Sequence, residues 1–355
     1  MTRKIFGHPV PIFRTLTAAL VAVSLSMGLA QEGELAEEGD VRVYISHEYG
    51  ASISVIDAGT GEVIDEITVT GRPGEVRPRG LAVSPDGATI YVALSDFNPE
   101  LEAPEDKIVA IDVATNEVIA EYEAGGNPER LAISPDGTQV WAALEARAQG
   151  MGIDLETGET IAIFQTGIES EGVDVSPDGR YVYVTGEVSH TVSVFDTQEM
   201  KLVKHFLVGN RPRVVLFSHD GSLAYVSAEI GGTVSVVDTS THSVIDTISL
   251  GLDSRPVEMA LSPDGATLYV AGGGTNAVYV IDTGSREVTD VVRERMGRRP
   301  WGIAITPDGS RLYTANGLSD SVSVIDTETL EVIDNISVGR GAHSASIGIA
   351  PEQGD

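Results

Sequence analysis

Seven short windows in this 355-residue chain hold ten of its nineteen arginines and none of its four lysines. They read GRPGEVRPRG (71–80), GGNPERL (125–131), GIESEG (167–172), GNRPRV (209–214), GLDSRPVE (251–258), GRRPWG (297–302) and GRGAHSAS (339–346). Arginine presents a planar fork of donors that grips a carboxylate or phosphate at two points, and aromatic rings add a stacking face. The candidate binding residues are therefore Arg77, Arg79, Arg130, Arg211, Arg213, Arg255, Arg299 and Arg340, joined by Trp301 and His343. The chemistry they fit is capture of an anionic small molecule, or docking of an acidic exported protein. Glu75, Glu129, Glu169, Glu171 and Glu258 stand in the same windows, so ion pairing that serves structure alone is the competing reading.

Other chemistries are poorly supplied. The chain has no cysteine, which removes thiol nucleophiles, disulfides, thiolate metal sites, iron–sulfur clusters and covalently attached c-type haem. GGG at 272–274 lacks both the Lys-Ser and the following helix of a phosphate loop, and no GxSxG elbow occurs. The histidines after residue 30, at 47, 190, 205, 219, 242 and 343, show no metal-ligand spacing. His47, His190 and His343 come from separate segments and leave a composite metal site as a minor alternative. No metal and no cofactor is expected.

The elements that position the windows repeat. SPDG stands at 84–87, 134–137, 176–179 and 262–265, with SHDG at 218–221 and TPDG at 306–309. Successive copies are 50, 42, 42, 44 and 44 residues apart, and each unit carries four short strand-like runs. A period of roughly 40–45 residues with four strands per unit is the mark of propeller blades. VRVYIS (41–46) matches the second strand of a blade, whereas ASIGIAP (345–351) matches a first strand with nothing after it. The predicted fold is all-β, a seven-bladed β-propeller over 41–351 closed by a C-terminal strand that completes the N-terminal blade. Strand directions alternate, so the arginine-bearing linkers share one face with the loops between second and third strands. The SPDG and Asp-Thr turns take the opposite face, where Asp86, Asp136, Asp178 and Asp264 read as turn formers.

The tetrads YVAL, YVTG, YVSA, YVAG and YTAN that follow the turns resemble the signature of YVTN-type β-propeller repeat proteins. RPRVVLFSHDGSLAYVSAEIGGTVSVVDT (211–239) and PDGSRLYTANGLSDSVSVID (307–326) resemble, more narrowly, the PQQ-dependent catabolism-associated β-propeller proteins. That resemblance implies an exported accessory protein beside a quinoprotein dehydrogenase system, with no chemistry of its own to transfer. Quinoprotein dehydrogenases themselves resemble eight-bladed propellers with a tryptophan in nearly every blade and a vicinal cysteine pair. Two tryptophans and no cysteine do not match that pattern.

Residues 1–30 carry Arg3, Lys4 and Arg14 ahead of the uncharged run LTAALVAVSLSMGLA, which reads as a secretory signal peptide cleaved near Gln31. An acidic linker follows over 31–40, and 352–355 form a short tail. Once the leader is removed, 20 basic residues face 53 acidic ones, a formal charge of −33. Such a surface repels nucleic acid and anionic membranes, and no membrane span is expected after cleavage. Self-repulsion should weaken as the Debye length falls from roughly 30 Å at 0.01 M salt to 3 Å at 1 M. Melting temperature is therefore expected to climb across that range; a flat series would contradict it.

The leading expectation is an exported, non-catalytic binding propeller in the periplasm or outside the cell. The alternatives are a lactonase-type hydrolase and a structural cell-surface repeat module. The hydrolase would use His343 as base, Arg213 or Arg299 as oxyanion stabiliser, and Glu258 to orient the base.

Overall fold

The computed structural model describes residues 41–98 and 106–350. The predicted leader, the acidic linker, residues 99–105 and the C-terminal tail lie outside them. Among the described residues no helix is long and apolar enough to cross a membrane.

Seven four-stranded antiparallel sheets form the ring. Blade 2 runs Val76–Val83, Thr89–Asp96, Lys107–Asp112 and Val118–Glu123, from the channel outward. Blade 3 opens with Pro128–Ile133, blade 4 with Ser170–Val175, blade 5 with Pro212–Phe217, blade 6 with Pro256–Leu261 and blade 7 with Pro300–Ile305. Blade 1 is composite. Its second to fourth strands are Val41–His47, Ser52–Asp57 and Val63–Thr68, and its innermost strand is Ala342–Ile349 from the other end of the chain. Val41 faces Ile349, Val43 faces Ile347 and Ile45 faces Ala345 in that junction. The closing strand begins three residues before the predicted Ala345.

The turn chemistry is the expected one. Asp86 Oδ1 accepts from Ala88 N at 3.0 Å and from Ser84 Oγ at 2.5 Å. These bonds, Ser84 first, hold its carboxyl below the usual range. The turn glycines take φ of +71° to +76°. A Cβ on Gly309 would also stand 2.9 Å from Pro263 Cδ of the preceding turn. Only glycine satisfies both demands. Thr239, Thr283 and Thr327, from the Asp-Thr corners, donate to the carbonyls of Gly221, Gly265 and Gly309 at 2.6–2.8 Å. Both turn sets therefore share one face.

The core consists of seven slabs, each shared by two neighbouring blades. Tyr44, Ile53, Val55, Val92 and Ile111 pack between blades 1 and 2, and Val43, Ile45, Tyr313 and Val322 between blades 7 and 1. A lone sheet would leave both faces wet, so burial here is a property of the closed ring. The signature tyrosines stitch the slabs at their ends. Tyr44 Oη donates to Asn116 Oδ1 of blade 2 at 3.2 Å, and Tyr313 Oη donates to Ala58 O of blade 1 at 3.1 Å.

At the perimeter, the outermost strand of every blade carries a register shift against its neighbour. In four blades an aspartate follows the shift. Asp65, Asp246, Asp290 and Asp334 each accept, through Oδ1, the N–H of the next residue at 2.7–2.8 Å.

A buried histidine guards the closure seam. Gly339 N donates to His47 Nε2 at 3.2 Å, so Nδ1 carries the proton and donates to Ser52 Oγ at 3.0 Å. Ser52 Oγ in turn donates to Glu66 Oε1 at 2.7 Å. Burial lowers the imidazole from 6.5 to about 4, against the opposing pull of Glu66 and Asp320. The unfolded chain therefore takes up this proton first as pH falls. Its contribution is complete above pH 6.5 and is lost between 6.5 and about 4, on the order of 3 kcal/mol. His47→Asn should flatten that limb of a stability–pH curve, and an unchanged limb would assign it elsewhere.

Candidate functional site

Each inner strand begins in the same way at the channel mouth. The first residue is Pro128, Ser170, Pro212, Pro256, Pro300 or Ala342 in six blades, and its counterpart in blade 2 is Pro78, the third residue of Val76–Val83. Proline suits this position because the start of a strand can do without a donor. In six blades the preceding residue is left-handed, with φ between +48° at Arg255 and +72° at Gly341. The residue after that position supplies an inner ring of seven side chains: Arg79, Glu129, Glu171, Arg213, Val257, Trp301 and His343.

Half of this ring is a buried ion cluster. Arg79 Nε donates to Glu129 Oε2 at 2.5 Å, and its Nη1 donates to Glu48 at 2.8 Å. Arg77 reaches Glu48 at 3.2 Å and Glu129 at 3.1 Å. Arg213 meets Glu171 at 3.2 Å, Glu229 at 2.7 Å and Glu187. Arg211 pairs with Glu187 at 2.7 Å. Burial would raise Glu171, but Arg213, Arg79 and Arg130 outweigh it and hold the carboxylate ionised. Burial and the neighbouring Glu171 push Glu187 up to about 8. Arg213 and Arg211 pull the Glu187 carboxyl the other way. The guanidiniums of this half are matched by acids, so its charge is close to balanced.

Beneath the ring, Arg130 of blade 3 pairs with Glu258 of blade 6 across the channel. Ile303 N also donates to Glu258 Oε2 at 3.2 Å. Above this bar lies a cavity of about 440 Å³. Its other wall differs in kind. Trp301 and His343 pack at 5.4 Å between ring centroids, 8% and 4% exposed. The indole Nε1 and both imidazole nitrogens are buried with no hydrogen-bond partner among the described residues. Burial, then Arg79, Arg130, Arg77 and Arg213, hold His343 well below its ordinary range, so the ring is neutral. Arg213 and Arg299 lie over Trp301, 5.1 and 4.6 Å from its centroid. Arg299 is one-third exposed and reaches its nearest acid, Glu229, only at 3.9 Å.

The ten predicted residues divide three ways. Arg77, Arg79, Arg211, Arg213, Arg299, Trp301 and His343 line the cavity. Arg130 lies in the bar below. Arg255 and Arg340 are exposed and do not line it; the stem of Arg255 runs across Gly274. Among the predicted acids, Glu129, Glu171 and Glu258 are partners in the cluster, while Glu75 makes a local surface pair with Arg72. Glu48, Glu145, Glu187 and Glu229 were not predicted. Each stands four residues after the aromatic of its second strand (Tyr44, Trp141, Tyr183, Tyr225), a regularity visible in the repeat once its register is known. The hydrolytic constellation lacks its orienting acid: Glu258 is turned to Arg130 and Ile303, and neither nitrogen of His343 donates to a carboxylate among the described residues. The three mouth histidines do not converge. His47 closes the seam and His190 Nδ1 accepts from Arg211 N at 3.1 Å. Among the described residues no group of three His, Asp or Glu is placed to hold a metal.

Residues 36–256 match the choice-of-anchor I domain, and residues 203–331 match the lactonase, 7-bladed beta-propeller family. No curated protein matches the chain. A functionally unknown protein from Desulfotomaculum acetoxidans superposes with a TM-score of 0.74 at 16% identity, covering 87% of this chain and 99% of that one. A putative 6-phosphogluconolactonase from Bacteroides fragilis gives 0.69 at 17% identity, covering 88% and 99%. Hydrazine synthase of Kuenenia stuttgartiensis gives 0.64 at 20% identity, covering 75% and 88%. At these identities the likeness is one of fold.

Proposed function

The chain belongs to the choice-of-anchor I domain family, and from that membership we propose an exported or cell-surface propeller that binds a small anionic ligand at its channel mouth without converting it. The observation that carries this reading is the cavity wall where Trp301, His343 and Arg299 stand together. The Arg299 guanidinium reaches its nearest acid only at 3.9 Å, whereas Arg77, Arg79, Arg211 and Arg213 each have an acid within 3.2 Å. Arg299, weakly paired and beside that wall, supplies the cation. The quinoprotein setting implied by the repeat belongs to this proposal as its context.

The lactonase similarity over 203–331 favours a second reading, hydrolysis at the same mouth. Its base would be His343, whose ring is neutral as a base requires but has no orienting partner among the described residues. One experiment addresses both. Exported protein is examined by native mass spectrometry and titrated with small carboxylates and phosphates while Trp301 fluorescence is followed. Trp301→Phe serves as the blank, because Trp141 is buried between blades 3 and 4. We expect a captured anion and a Trp301-dependent signal that Arg299→Glu removes. Absence of both overturns the binding reading, and turnover of lactones lost in His343→Gln would replace it with hydrolysis.

A further inference from the structure

On the rim outside the cavity, we propose a docking surface for a short acidic segment of another polypeptide, built from arginines of blades 6, 7 and 1. The linker into blade 7 is densely cationic: Arg293, Arg295, Arg298 and Arg299 fall within seven residues beside one acid, Glu294. The linkers on either side add Arg255 and Arg340. Hydrogen bonds join these segments into one arc. Gly273 N donates to Arg255 O at 3.1 Å and Arg299 N donates to Asn276 Oδ1 at 2.8 Å, so the blade 6 loop ties the first two linkers. Leu318 N donates to Arg298 O at 3.1 Å and Gly341 N donates to Asp320 Oδ1 at 2.8 Å, so the blade 7 loop ties the second to the third.

The arc is exposed and short of counter-charge. Arg255, Arg293, Arg298 and Arg340 face solvent and make no ion pair among the described residues. Yet acidic residues outnumber basic ones 53 to 23 over the chain. Elsewhere surface cations find acids: Arg72 pairs with Glu75, Lys201 with Glu199 and Arg286 with Asp246. Within the arc six arginines meet only Asp253, Glu294 and Asp320, and Asp320 already accepts from Gly341. Like charges gathered on one sector attract an anionic partner at contact range, about 8 Å at physiological salt. The partner's chemistry follows from its surroundings. An extended polyanion such as DNA would run beyond the arc onto strongly acidic surface, whereas a short acidic segment stays within it. Leu252 and Leu318, 74% and 59% exposed, stand in the same arc. Their burial rewards apolar side chains, which a peptide carries and a phosphate backbone does not. Arg299 and Leu318 also line the cavity, so the test leaves both untouched.

The test titrates the whole exported protein into four fluorescein-labelled probes, read by anisotropy at physiological salt. They are a peptide of four Asp-Leu-Glu repeats, its amide counterpart of Asn-Leu-Gln repeats, a leucine-free peptide of Asp-Ser-Glu repeats, and a single-stranded DNA of equal length. The acidic leucine peptide should bind about tenfold or more tightly than each of the others. Arg298→Glu combined with Arg340→Glu should weaken it about tenfold or more. Lys201→Glu combined with Arg286→Glu makes the same change of net charge beside the Asp-Thr corners of the opposite face and should leave it within about twofold. Leu252→Ser should weaken the leucine peptide and leave the leucine-free one unchanged. If the arginine reversals lower melting, the Arg298→Gln, Arg340→Gln pair replaces them and should act in the same direction. No binding of the acidic leucine peptide, equal binding of the amide peptide, the leucine-free peptide or the DNA, or binding that survives loss of Arg298 and Arg340 in a protein with wild-type melting overturns the docking surface. The cavity reading stands in each case, because Arg299, Trp301 and His343 are unaltered.

Discussion

Deleting residues 342–355 is expected to abolish the cooperative melt of the ring. The closing strand supplies the inner edge of blade 1 and pairs with Val41–His47 over most of its length. It also fills the slab between blades 7 and 1 with Ala342 and Ala345, and brings Ser344 N to Ser46 Oγ at 3.0 Å. Without it, two slabs lose a wall and a row of buried backbone groups loses its partners. The combined loss is comparable with the whole stability of an ordinary domain, about 5–15 kcal/mol. Thermal melts by circular dichroism, with limited proteolysis, read the outcome. A synthetic peptide of residues 342–350 added in trans should recover part of the transition. A truncated chain that melts like the full one would show that blade 1 does not depend on the far terminus.

Arg213→Met carries the second large effect. Methionine fills similar space but leaves Glu171 and Glu229 without the guanidinium that bridges them at 3.2 and 2.7 Å. Removing one partner of a buried pair costs about 3–5 kcal/mol, because the remaining charge stays buried and uncompensated. The penalty should depend on pH with a definite sign. In the variant, burial is no longer opposed by Arg213, so Glu171 moves above its unfolded value. A carboxyl raised on folding loses stability as pH rises beyond the unfolded value. The gap between variant and wild type should therefore be smaller at pH 5 than at pH 8. Arg299→Gln, at a partly exposed cation with one distant acid, should shift melting by little. Equal destabilisation by the two would remove the distinction between the structural and ligand-facing arginines.

The ring was legible from the sequence because each blade repeats the same short-range demands. SPDG needs its glycine and aspartate wherever it occurs, and a first strand stranded at the C-terminus has one sheet to complete. The mouth was legible in part. Linker residues on a common face had to converge, and Trp301, His343 and most of the arginines do. Their partners were legible only in part: Glu129, Glu171 and Glu258 stand in the same linkers, but which arginine each meets was hidden. Arg130 and Glu258 are 128 positions apart and meet only because blades 3 and 6 oppose each other across a closed ring. The glutamates at 48, 145, 187 and 229 sit in a different loop from the arginines they bind, so scanning the linkers alone passes over them. Arg255 and Arg340 mark the converse error, since membership of a linker does not decide which way a side chain leaves it.

The perimeter has a bearing on how these rings coexist in concentrated solution. Seven outer strands present seven rims of unfilled backbone groups, bordered by exposed Ile64, Ile119, Ile245 and Ile333. A flat apolar rim of that kind templates strand addition from a second molecule, the first step of fibre growth. Here each rim is kinked by its register shift, and in four blades an aspartate already occupies an N–H that an incoming strand would seek. The incoming strand would have to displace that carboxylate and then lie beside its charge. At those four rims the outward N–H is spoken for before a second molecule arrives, so the blade end itself opposes strand addition.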